Sequence, residues 1–91
     1  MTRFALGSIV CTPGIQNLVG RYPVNLAALL VRHATGDWGD VGAADHAEND
    51  FSVRAGFRVL SVYRHHDPDW TVWVITEADR SCTTFLLPEE Y

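Results

Sequence analysis

Ninety-one residues fill one domain, spanning 1–91, and leave no room for a second. An apolar share of 47 % excludes an intrinsically disordered chain, although a chain of this size buries only roughly 60 % of its unfolded surface and has a modest core. The formal charge of −4 argues against nonspecific nucleic-acid binding, which needs cationic surface. All seven basic residues are arginine. Cys11 and Cys82 lie far apart in sequence and read as reduced, buried small hydrophobes. The first residues lack the apolar core of a secretion signal, and no apolar run approaches the roughly 20 residues of a membrane span. A cytoplasmic, membrane-free protein is the expectation.

Phe4 to Val10 reads as a short strand or an extended arm. Thr12-Pro13 starts a helix, with Thr as N-cap and Pro at the first helical position, and Gly20 ends it. Tyr22-Pro23 opens a second helix. Its stripe of Leu26, Leu29, Leu30 and His33 follows the i, i+3, i+4, i+7 pattern, and Gly36 closes it. A third helix runs from Ala43 to Ala55, with Asp40 as its expected cap and Gly56 as its stop. Ala44, Ala47, Phe51 and Ala55 make a thin apolar stripe there. Asp45, Glu48, Asn49 and Asp50 read as a solvated face.

After Gly56 the texture changes. Phe57–Tyr63, Trp70–Thr76 and Cys82–Leu87 are rich in β-branched and aromatic residues and are separated by polar turns. The expected fold is therefore α+β, with short N-terminal helices packed on a C-terminal antiparallel sheet of three or four strands. Trp70, Val72 and Val74 alternate with Thr71, Trp73 and Ile75, so both faces of that sheet carry apolar side chains. Three short helices cover only part of this surface. The N-terminal segment, a second subunit or a binding partner could close the remainder, and a two-fold homodimer is the expectation.

The densest set of chemically capable side chains is His33 with Gly36-Asp37-Trp38-Gly39-Asp40. His33, Asp37, Asp40 and Asp45 offer one imidazole and three carboxylates, a donor set for Mn²⁺, Mg²⁺ or Fe²⁺, but their spacing matches no metal motif. No cofactor is called for, and no nucleophile elbow or phosphate loop accompanies them. The plainer reading places His33 in the last turn of its helix, where a protonated imidazole suits the helix dipole. In that reading the Asp side chains bond backbone N–H groups at the start of the next helix. Trp38, between two glycines, is either a plug for the core or an exposed anchor for a partner. In both cases the loop is expected to be rigid and to organise the helices against the sheet. His65-His66-Asp67-Pro68-Asp69 reads as a polar turn.

Nearly the whole chain resembles a family of small bacterial proteins. The resemblance rests on Arg32-His33, Gly36-Asp37-Trp38-Gly39-Asp40, Asp45, Glu48-Asn49, Gly56-Phe57-Arg58 and Ser61-Val62-Tyr63. It continues through Ile75-Thr76-Glu77-Ala78-Asp79-Arg80-Ser81, Thr83-Thr84 and Leu86-Leu87-Pro88-Glu89-Glu90-Tyr91. Members are labelled plasmid-related or hypothetical and sit on plasmids, prophages and integrative elements. The resemblance implies a mobile-element setting and carries no catalytic role with it. Two functions fit. The first, favoured here, is a small accessory protein that binds a protein partner, as an antidefence inhibitor of a CRISPR or restriction complex would, with Trp38, Asp37, Asp40, His33 and Asp45 as the expected binding residues. The second is a small metal-dependent enzyme using the His33–Asp40 loop.

Overall fold

The computed structural model describes residues 2–91. In chain order it holds strand β1 (Ser8–Cys11), helices α1 (Pro13–Arg21), α2 (Leu26–Ala34) and α3 (Ala43–Ala55), then strands β2 (Val59–His65), β3 (Trp70–Thr76) and β4 (Cys82–Leu86). A short 3₁₀ turn, Pro88–Glu90, follows β4. The fold is α+β, with the helices ahead of the C-terminal strands. The sheet has four strands in the order β1-β4-β3-β2. β2, β3 and β4 form the expected antiparallel meander, and β1 adds to β4 in parallel, with Ser8 opposite Cys82 and Cys11 opposite Phe85.

Local chemistry explains most element ends. The Thr12 hydroxyl accepts the Ile15 N–H at the head of α1, with Pro13 at the first helical position. Gly20 does not end this helix, which runs one residue further and stops where Tyr22 becomes extended. α2 starts later than Tyr22-Pro23: Asn25 is its cap, accepting the Ala28 N–H at 3.0 Å. α2 stops at Ala34, and Gly36 turns the chain with φ 90°. α3 keeps its expected bounds and ends on a left-handed Gly56, but Gly42, not Asp40, is its N-cap. The first strand of the meander begins two residues late, because the Phe57 N–H still bonds Ser52 O at the end of α3. Of the Phe4 to Val10 reading only residues 8–10 pair, and the strand continues to Cys11. Residues 2–7 form an arm that packs the Phe4 ring against His33 and Trp38.

Register decides which side chains share a face. Val59, Ser61 and Tyr63 of β2 lie with Val72, Val74 and Thr76 of β3 and with Thr83 and Phe85 of β4, and all are buried. Ile15 of α1 and Leu29 of α2 close over this side and complete the main core. The opposite side carries Leu60, Val62, Trp73, Ile75 and Leu86, of which Val62, Ile75 and Leu86 are buried. Tyr91 lays its ring on Trp73 there, with centroids 5.4 Å apart.

α3 departs most from its expected packing. Ala44, Ala47 and Ala55 are exposed and Phe51 is 47 % exposed, while Asn49 and Ser52 are the buried residues. The expected apolar stripe is thus overturned. The cause is the surface that α3 meets: the margin of strand β2, which presents backbone N–H and C=O groups, so polar side chains suit it better than apolar ones.

Candidate functional site

The loop between α2 and α3 is rigidly tied. Asp37 takes two hydrogen bonds from the Arg32 guanidinium, from Nε at 2.7 Å and Nη2 at 3.2 Å, and accepts the Gly39 N–H at 3.3 Å. This pairing holds the Asp37 carboxyl below the usual carboxylate range. The Arg32 guanidinium also lies 4.5 Å over the Tyr63 ring, and the Tyr63 hydroxyl donates to Asp37 O. Burial pushes the Tyr63 phenol up to about 12. Gly39 has φ 77° and packs so tightly on β2 that a Cβ there would overlap the Val62 carbonyl.

Trp38 is 1 % exposed and takes the core role left open by the sequence. Its ring packs with Phe4 and His33, and its indole N–H donates to Asp50 at 3.1 Å. Asp50 therefore does not sit on a purely solvated face; it also pairs with Arg3.

His33 is 0 % exposed, which overturns the reading of a protonated imidazole at a helix end. Its Nδ1 lies 2.6 Å from Ser61 Oγ and its Nε2 lies 2.9 Å from Thr76 Oγ1. Thr76 in turn contacts Thr83 at 2.7 Å, and the Thr83 hydroxyl donates to the Leu6 carbonyl. That carbonyl only accepts, so the proton order is set along the whole chain. Thr83 donates to Leu6, Thr76 to Thr83, and His33 Nε2–H to Thr76, which leaves Nδ1 to accept from Ser61. Burial, with a smaller contribution from the Arg80 charge, pushes His33 down to about 4, so the ring is neutral at pH 7.

The loop also finishes an edge of the sheet. Val62 N–H donates to Trp38 O at 3.0 Å, and Asp40 N–H donates to Val62 O at 2.6 Å, forming a parallel bridge at Gly39. The Asp40 carboxylate accepts the Arg64 N–H at 2.9 Å. This replaces the expected bond to the head of α3. Asn49 adds the third cover: it donates to Leu60 O at 2.6 Å and accepts the Leu60 N–H at 3.1 Å. Sequence reasoning missed Asn49 by placing it among solvated acids. The available signal was its position three residues before Ser52, on one face of a helix without a strong apolar stripe.

Of the five expected binding residues, His33 and Trp38 are inside the fold and Asp37 is engaged by Arg32. Asp40 and Asp45 come together on one surface feature, a groove of about 530 Å³ between α3 and β2. Its floor is Leu60, Val62 and Trp73. Asp40, Asp45 and Glu48 bring carboxylates to it, and Arg58 and Arg64 bring guanidinium groups. Arg58 is turned to Tyr91, donating to its hydroxyl at 2.6 Å and lying over its ring. The metal donor set does not assemble, since both His33 nitrogens are taken by hydroxyls. Among the described residues no group of three or more His, Cys, Asp or Glu is placed to hold a metal ion. Likewise no described helix is long and apolar enough to cross a membrane.

No family model, curated protein or solved structure matches the chain.

Proposed function

We propose that this is a small accessory protein of mobile genetic elements that acts by occupying a protein partner, as an antidefence inhibitor of a CRISPR or restriction complex does. The observation that carries this reading is the α3–β2 groove. An apolar floor of Leu60, Val62 and Trp73 inside a charged rim is the anatomy of a protein contact: a desolvated centre surrounded by polar groups that set register. Asp40, Asp45 and Glu48 outnumber Arg58 and Arg64 at that rim by one charge, and the chain is acidic overall. Such a groove favours a basic partner surface, the kind that nucleic-acid-handling enzymes present. A cytoplasmic site of action and independence from cofactors belong to the same reading.

The test is co-expression with restriction and CRISPR systems, scored by phage plating, followed by mixing the purified protein with the purified effector on a sizing column. The expected result is restored plating and a stoichiometric complex. Reversing Asp45→Arg and Glu48→Arg together should abolish both with only a small drop in melting temperature, because both side chains are exposed and only the Asp45 charge favours the first turn of α3, by about 0.3–1 kcal/mol. An unimpaired double variant would remove the groove from the proposal, and full restriction in every system tried would remove the inhibitor.

A further inference from the structure

We infer that the outer edge of β1 pairs with the same edge of a second copy of this chain, giving a closed two-fold dimer with a continuous sheet. This inference stands apart from the groove and from the proposed function.

The geometry begins with hydrogen-bond parity. Ser8 N–H donates to Ser81 O and Thr12 N–H donates to Phe85 O, so the even-numbered residues of β1 face β4. Alternation then turns the N–H and C=O groups of Ile9 and Cys11 outward. Among the described residues, no hydrogen bond reaches them from outside the sheet. Ile9 is 47 % and Val10 44 % exposed, and Ser8–Cys11 contains no charged residue, proline or glycine to repel another strand.

The choice of occupant follows from the other edge. Copies of one sheet meet edge to edge as β1 with β1, β1 with β2, or β2 with β2. Both pairings that involve β2 are blocked, because Asn49, Trp38 O, Asp40 N–H and the Asp40 carboxylate already hold its outward groups. A β1-to-β2 contact would propagate into a fibre. With it blocked, only the self-complementary pairing remains, and that pairing closes at two copies. Antiparallel pairing with Val10 opposite Val10 sets Ile9 against Cys11 on both sides of the axis, and about four cross-strand hydrogen bonds form. Both helical layers then lie on the same side of the joined sheet. The strand is short, and stable interfaces bury upward of ~1,200 Å², so the dimer is weak and forms at high protein concentration.

The test is sedimentation of the wild-type chain from micromolar to millimolar concentration. The expected mass rises from 10.1 kDa toward twice that value and no further. Ile9→Pro removes only an outward N–H and should leave the protein monomeric throughout. Val10→Lys, which needs no change of backbone, should do the same if the proline variant fails to fold. In a Cys11→Ser, Cys82→Ser background, Val10→Cys should give an oxidised dimer on the two-fold axis, since directly opposed non-hydrogen-bonded pairs approach closely. A monomer at millimolar concentration, growth beyond two copies, or a dimer indifferent to both edge substitutions would each overturn the inference.

Discussion

The two margins of the sheet contrast residue by residue. At β2, the outward groups of Leu60, Val62 and the Arg64 amide meet Asn49, the Trp38–Asp40 backbone and the Asp40 carboxylate. At β1, four residues without a charge present Ile9 and Cys11 to the surroundings. An unpaired edge is a template for further strands, and proteins control it by covering, charging or shortening it. Here one edge is covered by a loop and a helix, and the other is only short. The contrast also reassigns the chemically capable loop: its glycines, aspartates and tryptophan are used to dock backbone on backbone. Under the function proposed above, solvent-facing recognition would fall to the neighbouring groove.

The hardest blow to the covered edge is Trp38→Ala. The indole fills the space among Phe4, His33 and Asp50, and its loss leaves a cavity and an Asp50 carboxylate without its indole donor. The expected cost is about 3–5 kcal/mol, the usual range for a buried aromatic. The loop should then detach from Val62, and the exposed β2 edge should aggregate during thermal unfolding. An unshifted melting temperature would show that Trp38 does not anchor the cover.

The covered edge was partly legible in sequence and the open one hardly at all. Helix α3 was readable because Gly56 stops it and Pro is absent within it. The sequence also pointed to Gly36 and Gly39 as turn residues. It left Trp38 undecided, since a tryptophan between glycines serves a core or a surface equally well. His33 occupied the apolar stripe of α2 at i+7 from Leu26, and that position was a better guide to its burial than its nearness to the helix end. The parallel pairing of β1 carries no local signal: its partner lies more than seventy residues away, and Ser8–Cys11 is too short to show a period. Asn49 was misread for a related reason. A side chain that imitates a neighbouring strand has the same composition as one that faces water.

Acid sharpens the comparison next, because the polar chain through His33 joins the two halves of the sheet. It starts on β2 at Ser61, crosses Thr76 and Thr83, and ends at Leu6, two residues before β1. His33 titrates at about 4 in the fold, against an ordinary value of 6.5. Between those values the unfolded chain binds a proton that the fold excludes. The stabilisation is therefore complete above pH 6.5 and is lost as the pH falls toward 4, by about 3 kcal/mol in all. Urea midpoints at pH 7, 5.5 and 4 should show this decline, and His33→Gln should flatten it. A flat wild-type profile over that window would mean that the imidazole is solvated.

The smallest effect separates the edges most directly, by substitution at matched positions. Asn49→Ala leaves the Leu60 N–H and C=O facing α3 without partners, in a place where Asn49 itself is 5 % exposed. Unsatisfied buried groups of this kind cost about 1–3 kcal/mol, so the melting temperature should fall measurably. Ile9→Lys changes the outer strand on the other side, where the side chain is already half in water and the backbone groups that it flanks are hydrated. Its effect on monomer stability should stay within about 0.5 kcal/mol. Hydrogen exchange gives the same contrast without denaturation. The Leu60 amide should be protected in the wild type and fast in Asn49→Ala, whereas the Ile9 amide should be fast in dilute wild type and unchanged in the variant. Slow exchange at Ile9 in dilute solution would mean that the β1 edge is covered, and the difference between the two margins would disappear.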